Sequence, residues 1–291
     1  MLKCRPTTAF VLGAGLGTRL RPLTNRRPKP LIPLCEQPLI VYAFDHLIDF
    51  GIERFVVNTH WCAHRYKEFF PEECWKGRPI HFSHESPEIL ETAGGIWNAK
   101  DLLQDGSFVV YNGDILCDLP IGEAWERHLE NSSEVTLVLR EQADNRNVAF
   151  DPVTAQVIDL RRVMRPEIPP GHLFTGIYFV EPDFINRIPR NRKLSVVPIF
   201  HEMIRDGSGV GGVVINAGNW RDLGTRDEYL AASASLGYPQ WISPAAKIGE
   251  GSRLEDCIVW EGAEVLPGSH LTRCVVTDGA VVGGVHVNED F

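Results

Sequence analysis

Short apolar runs alternate with amphipathic stretches through the first half of this 291-residue chain. Thr8-Ala9-Phe10-Val11-Leu12, closed by a glycine-rich stretch, predicts a buried strand. Between 38 and 50 the apolar residues fall at 40, 43, 44, 47 and 48, a helical spacing, and Gly51 supplies the stop. Residues 54–58 and 80–82 predict two further strands, 95–103 a helix, 108–111 a strongly apolar strand and 134–140 a strand alternating at period two. The second half adds strands over 173–180 and 210–216 and helices over 197–205 and 227–236, with Pro198 in the first turn of the former. Strands alternating with helices imply an α/β fold, Rossmann-like, with a mixed but mostly parallel sheet and helices on both faces.

After Tyr238-Pro239 the pattern changes. Ile242, Ile248, Leu254, Trp260 and Leu266 recur every six residues, with glycine turns at 249–251, 261–262 and 267–268. This period resembles the hexapeptide repeat of a left-handed parallel β-helix, of which 242–284 would make about two coils and a fraction; an irregular β cap is the alternative. Thr272 and Asp278 occupy the next two places of the repeat, so it degrades there. The chain is thus expected to divide into 1–240 and a tail, 241–291.

Composition excludes several classes. No apolar run is long enough to span a bilayer, and Met1-Leu2-Lys3-Cys4 opens no signal-peptide core. A net charge of −9 argues against a nucleic-acid partner. The seven cysteines, Cys4 among them, are odd in number and contain no Cys-x-x-Cys, which points to free thiols in a reducing cytoplasm. The pairs His60/His64 and His81/His84 lack the companions of a zinc site.

Against that acidic background one segment is densely basic. Gly13-Ala14-Gly15-Leu16-Gly17-Thr18 runs into Arg19, Arg21, Arg26, Arg27 and Lys29 with no acid before Glu36. A glycine turn after a buried strand lets backbone N–H groups approach oxygens, so the segment suits a compact anion such as a polyphosphate. Its glycine spacing is one residue short of the dinucleotide fingerprint, and Pro22, Pro28, Pro30 and Pro33 interrupt the helix that fingerprint opens. No Gly-x4-Gly-Lys-Ser/Thr string occurs, which removes the P-loop. An extended, proline-stiffened loop around a nucleoside triphosphate is left, with a merely solvated basic loop as the plain alternative. Elsewhere, Asp114 follows a buried strand in Tyr111-Asn112-Gly113-Asp114, where α/β sheets bind ligands.

The string from Leu12 to Thr24, followed by Pro28-Lys29-Pro30-Leu31-Ile32-Pro33, resembles the signature of the sugar-1-phosphate nucleotidyltransferases, also called NDP-sugar pyrophosphorylases. Glu91-Thr92-Ala93-Gly94-Gly95 and the tail lean toward the members that transfer guanylyl groups to mannose-1-phosphate. Uridylyltransferases acting on glucose- or amino-sugar-1-phosphates, and inactive sugar-nucleotide-binding regulators, are the alternatives. The resemblance implies catalytic roles for Arg19 and Lys29 and nucleotide contacts from Gly13, Ala14, Gly15, Gly17, Thr18, Thr92, Ala93 and Gly94. It implies sugar contacts from Asn112, Gly113, Thr175 and Gly176, and Mg2+ on Asp114 and Asp222. The substrates it implies are an NTP and a sugar-1-phosphate, with no membrane partner and with homo-oligomer contacts through the tail. The Glu-Lys-Pro that many members place before the 174–178 segment is absent, and Arg165 is the nearest cation in that region.

Overall fold

A computed structural model describes residues 5–141 and 145–291; Cys4 and the Met1-Leu2-Lys3 start lie outside the described residues. The chain folds as two compact units, Met1–Gly15 with Tyr42–Trp220 and Leu16–Val41 with Arg221–Phe291.

The first unit holds one ten-stranded sheet. Its strands are β1 (Thr8–Leu12), β2 (Arg54–Thr59), β3 (Cys74–Trp75), β4 (Arg78–His84), β5 (Phe108–Asn112), β6 (Val135–Arg140), β7 (Val148–Asp151), β8 (Gln156–Leu160), β9 (Leu173–Val180) and β10 (Gly211–Val214). Their order is β7-β8-β10-β6-β9-β5-β1-β2-β4-β3. β5, β1, β2 and β4 run parallel, with Phe10 opposite Val56 on one side and Val110 on the other. β9 inserts antiparallel between β5 and β6, and β10 lies parallel to β6.

Helices α1 (Leu39–Phe50), α2 (His64–Phe69), α3 (Glu91–Asn98), α4 (Ile121–Asn131) and α5 (Val196–Asp206) connect these strands. Alternation along a strand decides which helix each residue meets. Phe55 stacks on Phe44 of α1 at 4.3 Å, and Phe179 meets both Phe50 of α1 and Trp125 of α4. Tyr178, one residue earlier, points the other way and edges onto Phe200 of α5 at 5.8 Å. Ala93 and Ile96 of α3 join that second core with Phe10, Val56 and Val110. Helices therefore cover both faces, as the alternation of elements implied.

Several elements differ from the sequence reading. The helix expected over 95–103 begins four residues earlier, because the Ala93 and Gly94 amides donate to the Leu194 carbonyl and hold its first turn. α4 and the β7–β8 hairpin were not expected. The buried residues of α4, Ile121, Ala124, Trp125 and His128, keep the i, i+3, i+4, i+7 spacing of one helix face, a signal the sequence carried and its reading passed over. β6 alternates in sequence yet is buried throughout, since both faces of the sheet are covered.

In the second unit, residues 16–41 carry two 3-10 turns, Thr18–Leu20 and Lys29–Leu31, and a small hairpin pairing Pro33–Leu34 with Gln37–Pro38. α6 (Arg226–Ser235) starts from a capping box between Thr225 and Glu228. From Trp241 onward three parallel sheets of three short strands build the expected β-helix. Its register differs from the strict hexad. Trp241 pairs with Ile258 and Ile258 with Val275, a coil of 17 residues, so one hexad per coil is short by one. The interior columns are Ile242–Val259–Val276, Ala246–Ala263–Ala280 and Leu254–Leu271, with Cys257 and Cys274 in a fourth and Phe291 level with Val276. Trp260 and Leu266, in phase with the simple period, are thus out of phase with the coil. Leu266 is 40% exposed, and Trp260 is buried but not among the residues of the interior cluster.

Candidate functional site

In the first unit the glycine turn is fixed from behind. Gly13 donates its N–H to Asn58 Oδ1 (2.8 Å), and its carbonyl accepts from the Tyr66 hydroxyl (2.8 Å). Asn58 Nδ2 donates to Glu85 Oε1 (2.7 Å), whose other oxygen accepts from the Leu90 amide (2.6 Å). Burial raises the Glu85 carboxyl above its ordinary range, opposed by these donors. Burial, and next the charge of Asp114, raise the Tyr66 phenol. Gly13 is therefore an anchor, while Gly15 is exposed with open space where a side chain would stand. Asn58, Tyr66 and Glu85 were missed from sequence, since a lone Asn or Glu at a strand end carries no spacing signal.

Three of the predicted sugar-contact residues form one cluster. β9 bulges between Phe174 and Tyr178, and Gly176 sits there at φ +82, where a Cβ would lie 2.4 Å from Asn112 Nδ2. Only glycine lets Asn112 lie against the bulge. Thr175 is buried; its hydroxyl donates to the Val138 carbonyl (2.8 Å), and its own carbonyl accepts from Trp220 Nε1 (2.9 Å). Thr175 thus shapes the bulge through its backbone. Asn112 and Asp114, flanking the buried Gly113, are part-exposed at the end of β5. The chain approaching Trp220 is tied down by residues with no motif of their own. Arg140 donates to the carbonyls of Asn216, Ala217 and Gly218 (3.1–3.2 Å). Asp118 accepts from the Asn219 amide and side chain, which hold its carboxyl below the usual range.

The segment 91–95 is closed off by its own neighbours. Thr92 Oγ1 accepts from the Val196 amide (2.8 Å), and Ala93 and Gly94 are buried. A Cβ on Gly94 would lie 2.4 Å from the Arg192 carbonyl. Glu91 and Thr92 present the accessible edge of this turn. Arg165 is exposed in a surface loop, 3.8 Å from Glu167.

A separate set of functional side chains assembles within the second unit. Lys29, first residue of its 3-10 turn, is buried, with Nζ 3.4 Å from Asp222 Oδ1. Arg19 approaches the other oxygen of Asp222 at 3.9 Å and keeps a 70%-exposed side chain. Gly17 caps the preceding turn at φ +59, its carbonyl accepting from Thr24 Oγ1 (2.8 Å). Thr18, Arg19 and Arg21 remain exposed. The basic loop is not uniformly presented to solvent, however. Arg26 donates to the Asp278 carbonyl (3.0 Å), and Arg27 pairs with the Asp278 carboxylate (3.2 Å) over the face of Trp260. Lys29, Arg19 and Asp222 together give two cations on one carboxylate, a geometry for polarising phosphate oxygens.

The comparisons with known proteins place the chain in a family. The chain is 31% identical over 262 residues, 89% of its own length and 71% of the relative's, to mannose-1-phosphate guanylyltransferase of Mycobacterium tuberculosis. It is 30% identical over 302 residues to mannose-1-phosphate guanyltransferase of Hypocrea jecorina, covering 88% and 82% of the two chains. It is 28% identical over 267 residues to the beta catalytic subunit of that enzyme from Xenopus tropicalis, covering 83% and 73%. The crystal structure of HddC from Yersinia pseudotuberculosis shares the fold, with a TM-score of 0.66 at 23% identity over 79% of this chain and all of that one. Residues 8–237, most of the chain, match the nucleotidyl transferase family, and the chain belongs to that family.

Proposed function

We propose that this chain joins an NTP to a sugar-1-phosphate with release of pyrophosphate, and that the pair is GTP and mannose-1-phosphate. The observation that carries the chemistry is Lys29 held 3.4 Å from Asp222 with Arg19 alongside. The names of the relatives carry the substrate pair. A sugar-phosphate oxygen attacks the α-phosphorus; the new P–O bond forms as the bond from the α-phosphorus to the bridging oxygen breaks, and pyrophosphate takes that electron pair. No protein nucleophile is needed, so the chain contributes positioning and charge neutralisation. Lys29, fixed by burial, meets charge developing at the α-phosphate, and Arg19, exposed and flexible, holds the leaving pyrophosphate. Backbone N–H groups of 15–18 add donors to the same anion. Asn112 and the Gly176 bulge take the sugar, while Glu91 and Thr92 lie along the base.

The resemblance assigns a divalent cation to Asp114 and Asp222. Asp222 offers carboxylate oxygens on a side chain 40% exposed, and Asp114 is part-exposed at its strand end. Among the described residues no group of three or more His, Cys, Asp or Glu side chains gathers as a metal cage. Two carboxylates suit Mg2+, which keeps waters and phosphate oxygens in its shell. When bound by Asp114 and Asp222 it would neutralise phosphate charge. Among the described residues no helix is long and apolar enough to cross a membrane, and the six described cysteines are free thiols, which suits a reducing cytoplasm. The test is a pyrophosphate-release screen of the four NTPs against a panel of sugar-1-phosphates with Mg2+. GTP with mannose-1-phosphate is expected to give the highest kcat/KM; preference for UTP with another sugar would overturn the substrate pair, and no release with any pair would overturn the reaction.

A further inference from the structure

Lys29 follows two arginines, Arg26 and Arg27, that face the tail. Arg27, two residues before it, is 8% exposed although it belongs to a loop of surface charges. Its guanidinium carbon lies 5.1 Å from the centre of the Trp260 ring, and its Nη2 lies 3.2 Å from Asp278 Oδ2. Arg26 donates to the main-chain carbonyl of the same aspartate at 3.0 Å. Four residues beyond Lys29, the Pro33 carbonyl accepts from the Tyr229 hydroxyl, which itself accepts from Trp260 Nε1 at 3.0 Å. The stretch 26–33 is therefore pinned at both ends, and both pins lead to the β-helix. Trp260, the residue out of phase with the coil, is the plate that joins them: its face meets Arg27 and its N–H meets Tyr229.

From this arrangement we infer that the β-helix positions the chemistry: Arg27, clamped by Asp278 and Trp260, sets where the Lys29 ammonium stands. Arg27 is a positioning residue, acting through Lys29 and not on substrate. A cation held by both stacking and a carboxylate, in a site partly closed to water, is a stiffer restraint than an exposed ion pair. The two-residue path to Lys29 runs into a 3-10 turn closed by the Leu31 and Ile32 amides on the carbonyls of Pro28 and Lys29, so displacement at Arg27 is passed on. Lysine in place of Arg27 keeps the charge but loses the planar group that lies on Trp260.

The inference rests on the proposed role of Lys29, and the experiment separates the two. Asp278→Asn, Arg27→Lys and Arg27→Ala are measured in the full chain with GTP and mannose-1-phosphate, alone and combined with Lys29→Ala. Arg27→Ala is expected to lower kcat about 10²-fold with little change in KM, the scale of a misplaced catalytic group. Arg27→Lys should recover part of the loss, and adding Arg27→Ala to Lys29→Ala should cost nothing further. Equal losses in both backgrounds would show that Arg27 does not act through Lys29. Hydrogen exchange gives a readout independent of turnover: the Leu31 and Ile32 amides should exchange about tenfold faster in Asp278→Asn while the β1 amides stay protected. Unchanged exchange at 31–32 would overturn the clamp whatever the enzyme's substrates are; faster exchange in a chain that releases no pyrophosphate would uphold the clamp and overturn the reaction.

Discussion

At the scale of single residues, the proposed site would fix charge before substrate arrives. Lys29 loses most of its rotamer freedom to burial, and Asp222 balances it at 3.4 Å. Lys29→Ala is expected to lower kcat by about 10²-fold or more while the fold is retained, and steady-state rates with a circular dichroism control check it. A near-normal rate would remove Lys29 from the chemistry. His46 shows a different kind of fixing. Its Nε2 lies 2.7 Å from the Leu119 carbonyl, which can only accept, so Nε2 carries the proton and Nδ1 accepts from the Tyr111 hydroxyl at 3.0 Å. Burial pushes its pKa below the ordinary 6.5. The unfolded chain therefore takes up the proton first as pH falls. The stability linked to neutral His46 is complete above 6.5 and is lost as pH drops from there through the lowered value. His46→Gln keeps a donor and an acceptor without titrating; its melting temperature should hold against the wild type's as pH goes from about 7 to about 5. Parallel melting curves across that interval would show that His46 carries none of the acid sensitivity.

Among the elements, those whose pattern repeats were legible and those set by distant contacts were not. α1 was readable because its apolar residues keep one face, and β9 because a run from 173 to 180 is apolar on both faces. The start of α3 was hidden because what caps it, the Leu194 carbonyl, lies about a hundred residues away. The tail's hexads were readable within a coil, but its 17-residue closure needs the pairing of one coil with the next. The candidate site divides the same way. Lys29, Asp222 and Asn112 stood in motifs, while Asn58, Glu85 and Arg140 act by hydrogen bonds that close only in the fold. The bulge in β9 joins both cases, since Gly176 was legible as a motif residue and its partner Asn112 as another. Gly176→Ala places a Cβ 2.4 Å from Asn112 Nδ2 at a positive φ. It is expected to cost about 1–3 kcal/mol by thermal or denaturant unfolding and to raise KM for the sugar-1-phosphate more than for the NTP. Equal KM effects on both substrates would detach this bulge from the sugar.

For the whole molecule, the division of the chain matters more than its order in sequence. A cut at 240, where the apolar period changes, would separate the tail from everything before it. Yet the second compact unit contains residues 16–41 as well as 221–291, so the basic loop packs with the tail. Without 241–291, Arg27 loses both Trp260 and Asp278, Tyr229 loses the indole donor, and Arg226 loses its 2.6 Å partner Asp290. Chain 1–240 should therefore melt several degrees lower, since each 1 kcal/mol lost corresponds to roughly 2–4 °C in a chain of this size. Its turnover should fall to roughly 1% or less, because Lys29 is no longer held. Hydrogen exchange should locate the damage: fast amides over 16–41, with β1, β2 and β5 as protected as in the full chain. If 1–240 instead kept the full chain's kcat and melting temperature, the basic loop would owe nothing to the β-helix.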